Sequence, residues 1–181
     1  MHILSIFASK TIVNMIKITP ANIDQIKIIQ GIAYQTWPAT FSSILSSEQI
    51  DYMLDMMYSD EALLAQITDL NHSFLLAAQG DAYLGFLSYE TPYKDEAKTK
   101  IHKIYILPEA QGLGVGKRLM ETVESIALKK GDQLLLLNVN KHNEAEKFYK
   151  HLGFETIGTE DIDIGSGFLM EDKIMAKKII R

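Results

Sequence analysis

Gln111-Gly112-Leu113-Gly114-Val115-Gly116 joins an apolar stretch ending at Pro108 to a long amphipathic segment, and the fold is read from this junction. A glycine-rich turn feeding a helix N-terminus is a seat for a pyrophosphate. The unpaired N–H groups of the first turn point outward, and the helix dipole favours negative charge there. Gly114 and Val115 offer no side-chain oxygen to cap the helix, so its amides are left for a ligand. A purely structural turn would have the same composition. Two other phosphate motifs fail. A Walker loop needs Ser or Thr where Arg118 follows Gly116-Lys117, and a dinucleotide fingerprint starting at Gly112 meets Lys117 in place of its last glycine. The acidic residue such a fingerprint requires is also misplaced, since Asp132 precedes the next strand instead of ending it.

Outward from the turn, residues 100–107 read as a strand closed by Pro108. Residues 114–130 read as a helix with Val115, Leu119, Val123, Ile126 and Ala127 on one face and Gly131 as terminator. The apolar run 134–139 predicts a strand covered on both faces. Strand, helix and strand in this order form a right-handed crossover, so 100–107 and 134–139 are predicted parallel neighbours. Asn143 is placed to cap the next helix, with Glu146 closing a capping box and Gly153-Phe154 ending the helix. Strands 154–164 and 168–177 follow around Gly165-Ser166-Gly167.

Upstream, 16–18 is a short strand, and Thr19-Pro20 supplies a cap and first-turn proline for a helix to about Gln35, which Trp37-Pro38 breaks. Ser47-Glu48-Gln49-Ile50 and Ser59 open two further helices. Strands 72–78 and 82–89 flank a hairpin turn at Gln79-Gly80-Asp81. The sum is an α/β fold with a mixed, mainly antiparallel sheet flanked by helices.

The chain has 181 residues, 47% hydrophobic and 23% charged, without repeat, linker or low-complexity tract. That predicts one domain over 15–181, with 1–14 as an extension whose role the sequence leaves open. The absence of cysteine excludes disulfides, thiolate metal sites and a cysteine nucleophile; no metal site is read from the sequence. A net charge of −5 argues against nonspecific nucleic-acid binding and suits a cationic acceptor. No stretch reaches a membrane span, and the apolar start lacks a basic n-region, so a cytoplasmic protein is expected.

Gln111, Gly114 and Gly116, with Ile104-Tyr105-Ile106-Leu107-Pro108 before them and the run Asn143 to Phe154 after them, resemble the GNAT superfamily of N-acetyltransferases. The resemblance covers the C-terminal half. Trp37 to Met57 and Ile164 to Lys177 resemble bacterial diamine- and spermidine-type members. The family likeness implies that the parallel strands splay apart and that acetyl-CoA, the co-substrate, enters the cleft. It implies that the backbone of Ile104 and Ile106 and the side chain of Asn143 meet pantetheine. The amides of Gln111, Gly112, Leu113, Gly114, Val115 and Gly116 would hold the pyrophosphate.

The resemblance also assigns Tyr149 as general acid to the departing thiolate, although its place on an apolar helix face reads equally as core. His102 lies at the offset where serotonin-acetylating relatives carry a catalytic base; strand alternation aligns it with Ile104 and Ile106, which fits packing as well. One of Lys117 and Arg118 could meet a CoA phosphate. Tyr34, Trp37 and Phe41 fall in the early loop where relatives wall the acceptor site, and an aromatic box would suit a cationic amine. Trp37 beside Pro38 could equally be a structural plug. The acceptor this resemblance leads one to expect is a small-molecule amine such as a polyamine, or alternatively a protein N-terminus or lysine. A noncatalytic acetyl-CoA-binding module is the third class, and a homodimer is an allowed assembly.

Overall fold

The computed structural model describes residues 15–179; the expected extension 1–14 lies outside the described residues. Seven strands form one sheet in the order β1-β2-β3-β4-β5-β7-β6. They are β1 Lys17–Pro20, β2 Ser73–Gln79, β3 Ala82–Glu90, β4 Lys98–Ile106, β5 Leu134–Asn140, β6 Glu155–Gly165 and β7 Phe168–Lys178. Only β4 and β5 run parallel, and every other neighbouring pair is antiparallel. The helices are α1 Ile26–Phe41, α2 Ser47–Tyr58, α3 Asp60–Thr68, α4 Val115–Lys130 and α5 Ala145–His151.

The helix expected from Thr19-Pro20 begins later. Thr19 and Pro20 pair with Leu76 and Leu75 in the sheet, and Asn22 caps the turn that leads into α1 through a capping box with Gln25. Nor does Trp37-Pro38 break it. Pro38 sits inside α1 on its exposed side, so the carbonyl it orphans at exposed Tyr34 can turn to water. The interior-proline cost of about 3 kcal/mol is offset by Trp37 and Phe41, both buried and each contributing about 1.5–3 kcal/mol by burial. The supposed loop carrying Tyr34, Trp37 and Phe41 is therefore helix.

β3 is buried without interruption from Leu84 to Tyr89, which requires cover on both faces; α1 and α4 each pack on β3 and β4. Closeness is extreme at Gly85, where an added Cβ would lie 2.6 Å from the Tyr105 carbonyl oxygen. β5 departs from the sequence expectation of cover on both faces: Leu135, Leu137 and Val139 are buried while the alternate residues are only half-buried. Its partly open face belongs to the site.

The parallel pairing of β4 and β5 stops at Ile101 opposite Leu137, although both strands continue, to Ile106 and Asn140. The cause lies on the other edge of β4. Ser88 pairs with Lys103 and Tyr89 with Ile101, leaving His102 as an extra, unpaired residue. A bulge bends its strand and ends regular pairing, and here it ends where the two strands part.

Candidate active site

A cavity of about 400 Å³ occupies the opening between β4 and β5, lined from β4 by Lys100 to Tyr105 and from β5 by Leu137 to Asn140. α5 adds Tyr149, α1 adds Trp37 and Phe41, and Asn143 borders one end. The opposite wall is the β6–β7 hairpin, fastened to α2 by the Tyr52 hydroxyl donating to the Ile164 carbonyl (2.7 Å) and Gln49 Nε2 to that of Leu169 (3.2 Å).

Tyr149 is buried, and burial raises its phenol above the ordinary tyrosine value, so it stays protonated at neutral pH. Its ring meets Phe148 and Phe154 edge-on at 5.4 and 6.1 Å. The expected Asn143–Glu146 capping box does not form. Asn143 Oδ1 does accept the Ala145 N–H at 2.9 Å, but the Glu146 carboxylate is taken by Lys150 at 2.8 Å and Lys173 at 2.5 Å. Two ammonium groups outcompete one amide, and hydrogen bonds first from Lys150 and then from Lys173 hold Glu146 down to about 2.

Gly112 and Gly114 both take left-handed backbone, at φ +79° and +80°, a region glycine enters without cost. A Cβ on either would meet nothing within 4 Å, so the turn lies open to a ligand. Gly114 is the cap of α4 and offers no side-chain bond. Among the described residues no acceptor takes the N–H of Gly112, Gly114, Val115 or Gly116. Leu113 is exposed, whereas the Val115 side chain is in the core. Gly116 serves helix packing: a Cβ there would come within 3.1 Å of the Phe148 ring. Gln111 folds back, its Nε2 donating to the Ile106 carbonyl at 3.4 Å. Gln111 and Asn143 also border a second cavity of about 420 Å³ against the end of α1. Arg118 is committed to the Ile16 carbonyl at 2.7 Å, and Lys117 lies 3.7 Å from Glu121.

His102 and Ile104 line the main cavity; Ile106 lies beyond it. Tyr34 is 47% exposed and lies outside the lining of either cavity, so it does not join Trp37 and Phe41 in an acceptor wall. Trp37 is 2% exposed, with its ring 4.6 Å from Phe41, 5.9 Å from Tyr58 and 5.8 Å from Tyr105. These are the contacts of a structural plug, and Trp37 also lines the main cavity.

Several residues in the cavity lining or directly behind it escaped the sequence reading. Asn138 Nδ2 donates to Glu160 at 3.1 Å and to Asp172 at 3.4 Å, while its Oδ1 accepts from Lys100. Burial raises Asp172 and lowers Lys100. Lys103 donates to Gln66 Oε1 at 2.8 Å and is lowered to about 8 by burial. Glu90 Oε2 lies 3.0 Å from His102 Nε2, and the His72 ring stacks on His102 at 3.9 Å. These groups come from β2, β3, β4, β5, β6 and β7 and their approaches, so no local spacing announces them.

Residues 42–170 match the family model described as an Acetyltransferase (GNAT) domain. Spermidine N(1)-acetyltransferase of Thermoplasma acidophilum is 31% identical over 163 residues, 87% of this chain and 97% of that protein. The crystal structure of PaiA N-acetyltransferase from T. acidophilum in complex with coenzyme A superposes with a TM-score of 0.76 at 28% identity, over 91% of this chain and 99% of the other. Peptidyl-lysine N-acetyltransferase YjaB of Escherichia coli is 32% identical over 106 residues, 54% of this chain and 64% of that protein.

Proposed function

The chain belongs to the GNAT family of N-acetyltransferases and uses acetyl-CoA, and on that footing we propose that its acceptor is a small cationic amine such as a polyamine, with Tyr149 as the general acid. The observation that carries this reading is the opening between β4 and β5. It has Tyr149 in its lining, and two carboxylates, Glu160 and Asp172, on the hairpin wall. A negative wall draws in an ammonium-bearing acceptor, and the relative named a spermidine acetyltransferase supports the same class. The absence of cysteine and the negative net charge fit a cytoplasmic setting and a small-molecule partner. Among the described residues no helix is long and apolar enough to cross a membrane.

Acetyl-CoA supplies the thioester carbonyl as electrophile. The open amides of Gly112, Gly114, Val115 and Gly116 suit its pyrophosphate, and Asn143, beside both cavities, suits its pantetheine arm, as does the edge of β4 beyond its pairing with β5, at Ile104 and at Ile106, whose carbonyl Gln111 would have to release. A strand amide suits the carbonyl oxygen. His102, which burial first and then His72, Lys103 and Lys100 lower to about 2, takes a proton from the acceptor's ammonium by virtue of the counter-charge beside it, the Glu90 carboxylate at 3.0 Å, so that the amine can attack. Tyr149 gives its proton to the departing sulfur and regains one from the acylated nitrogen, so the single net proton released is the one His102 took. Transfer is direct, with no nucleophile on the enzyme.

An acceptor screen with purified protein and acetyl-CoA, read by free-thiol release, tests the proposal. Spermidine and diamines are expected to turn over, with rates falling as salt rises. Inert diamines beside an acetylated peptide amine would overturn the acceptor class in favour of a protein lysine or N-terminus, the reading that the YjaB match favours.

A further inference from the structure

His102 is the extra residue of the β4 bulge and has no register partner on β3. Its side chain is nevertheless clamped. His72, just before β2, stacks on it at 3.9 Å with ring planes only 14° apart, and Tyr93 abuts it edge-on at 6.1 Å. Glu90, the last residue of β3, meets His102 Nε2 at 3.0 Å. A carboxylate carries no hydrogen and can only accept, so the proton in that contact resides on Nε2. The other ring nitrogen, Nδ1, is then the basic one.

His72, Glu90 and His102 also bring one potential metal-ligand atom each within 4.8 Å of one another. The stacking argues against a metal there. An imidazole donates its lone pair in the ring plane, and two nearly parallel planes share no point at bonding distance. The arrangement instead has the form of a base held by a carboxylate, in which the acid fixes the tautomer and stabilises the imidazolium once formed.

We propose that Glu90 is a positioning residue for the acetyl-transfer reaction, holding His102 with its proton on Nε2 and Nδ1 free to accept the acceptor's proton. The proposal rests on His102 acting as the base. Glu90 has an electrostatic task as well. The groups facing His102 are His72 from the approach to β2, Lys100 and Lys103 from β4, and Tyr93 from the β3–β4 connection. The lysines oppose a positive imidazolium, and Glu90 is the carboxylate within hydrogen-bond distance that favours one. Asp95 and Lys94 in turn face Glu90.

Long-range proton–nitrogen NMR on imidazole-labelled protein tests the tautomer without any substrate. His102 protonated on Nε2 in the wild type, switching towards Nδ1 in Glu90→Gln, is expected, because the amide can donate to the ring. An Nδ1-protonated wild type overturns the proposal. Kinetically, Glu90→Gln should lower kcat by on the order of 10²-fold, with coenzyme A affinity unchanged. Added to His102→Ala, it should cost little more. Additive losses would overturn the proposal, since a merely structural role adds. The expected tautomer together with full turnover in His102→Ala would overturn the base assignment instead. Zinc chloride titrated into the wild type should give no tight binding; one equivalent bound tightly, and lost in Glu90→Gln and His72→Ala, would replace the proposal with a metal centre.

Discussion

Tyr149→Phe separates the two readings of this residue, proton donor and core filler, because the structure gives them different signatures. The ring is buried against Phe148 and Phe154, and phenylalanine keeps those contacts. Among the described residues no protein acceptor takes its hydroxyl proton, so the substitution strands no partner and should change stability by less than about 1 kcal/mol. As general acid it contributes about 10²–10⁴-fold, or roughly 2.7–5.5 kcal/mol of barrier. Stopped-flow or steady-state thiol release gives kcat, thermal unfolding gives stability, and calorimetry with coenzyme A gives affinity. The expected pattern is a loss in kcat alone. Because burial holds the phenol above its ordinary value, wild-type kcat should show no alkaline limb from Tyr149 up to about pH 10. A folded variant with wild-type kcat would refute the assignment and leave Tyr149 as core.

Gly114→Val puts a β-branched residue at φ +80° in a position open to the ligand; coenzyme A affinity measured by calorimetry should fall at least tenfold, and an unchanged affinity would remove the phosphate seat. Trp37→Ala should act on stability before it acts on KM, costing about 3–5 kcal/mol, or roughly 6–20 °C in Tm for a chain of this size; a folded variant of wild-type Tm with only KM raised would restore the aromatic-box reading. Tyr58, Tyr105 and Tyr149 are all raised above 10.0, chiefly by burial. Above pH 10 the unfolded chain therefore releases protons that the folded one retains, and stability falls as pH rises, by about 1.4 kcal/mol per pH unit for each such group. Denaturant titrations from pH 9 to 11 check this, with a shallower slope expected in Tyr58→Phe.

Local chemistry settled much of this protein before any coordinates. Gly112, Gly114, Gly131 and Gly153 stand where left-handed backbone is needed, and only glycine adopts that conformation without cost, so turn and helix ends were legible in residue identity. The strand–helix–strand order forced a parallel pair because handed crossovers admit no other common arrangement. Local rules failed where burial competed with them. Trp37 and Phe41 carried α1 through Pro38, and two lysines drew Glu146 away from its capping role. What depended on residues distant in sequence was not legible at all. The bulge at His102 exists because β3 and β4 fall one residue out of register, a property of the pair that neither strand's alternation reveals. Glu90 meets His102 across a hairpin, and Asn138 gathers Lys100, Glu160 and Asp172 from three other strands. The sequence by itself thus determined the fold class and the left-handed glycine turn before α4, which depend on backbone conformation and periodicity over a few residues. The surroundings of Tyr149 and His102, and the charges gathered on the wall of the opening, were decided only by the tertiary structure, because burial and charge pairing arise between strands that the sheet, not the chain, makes neighbours.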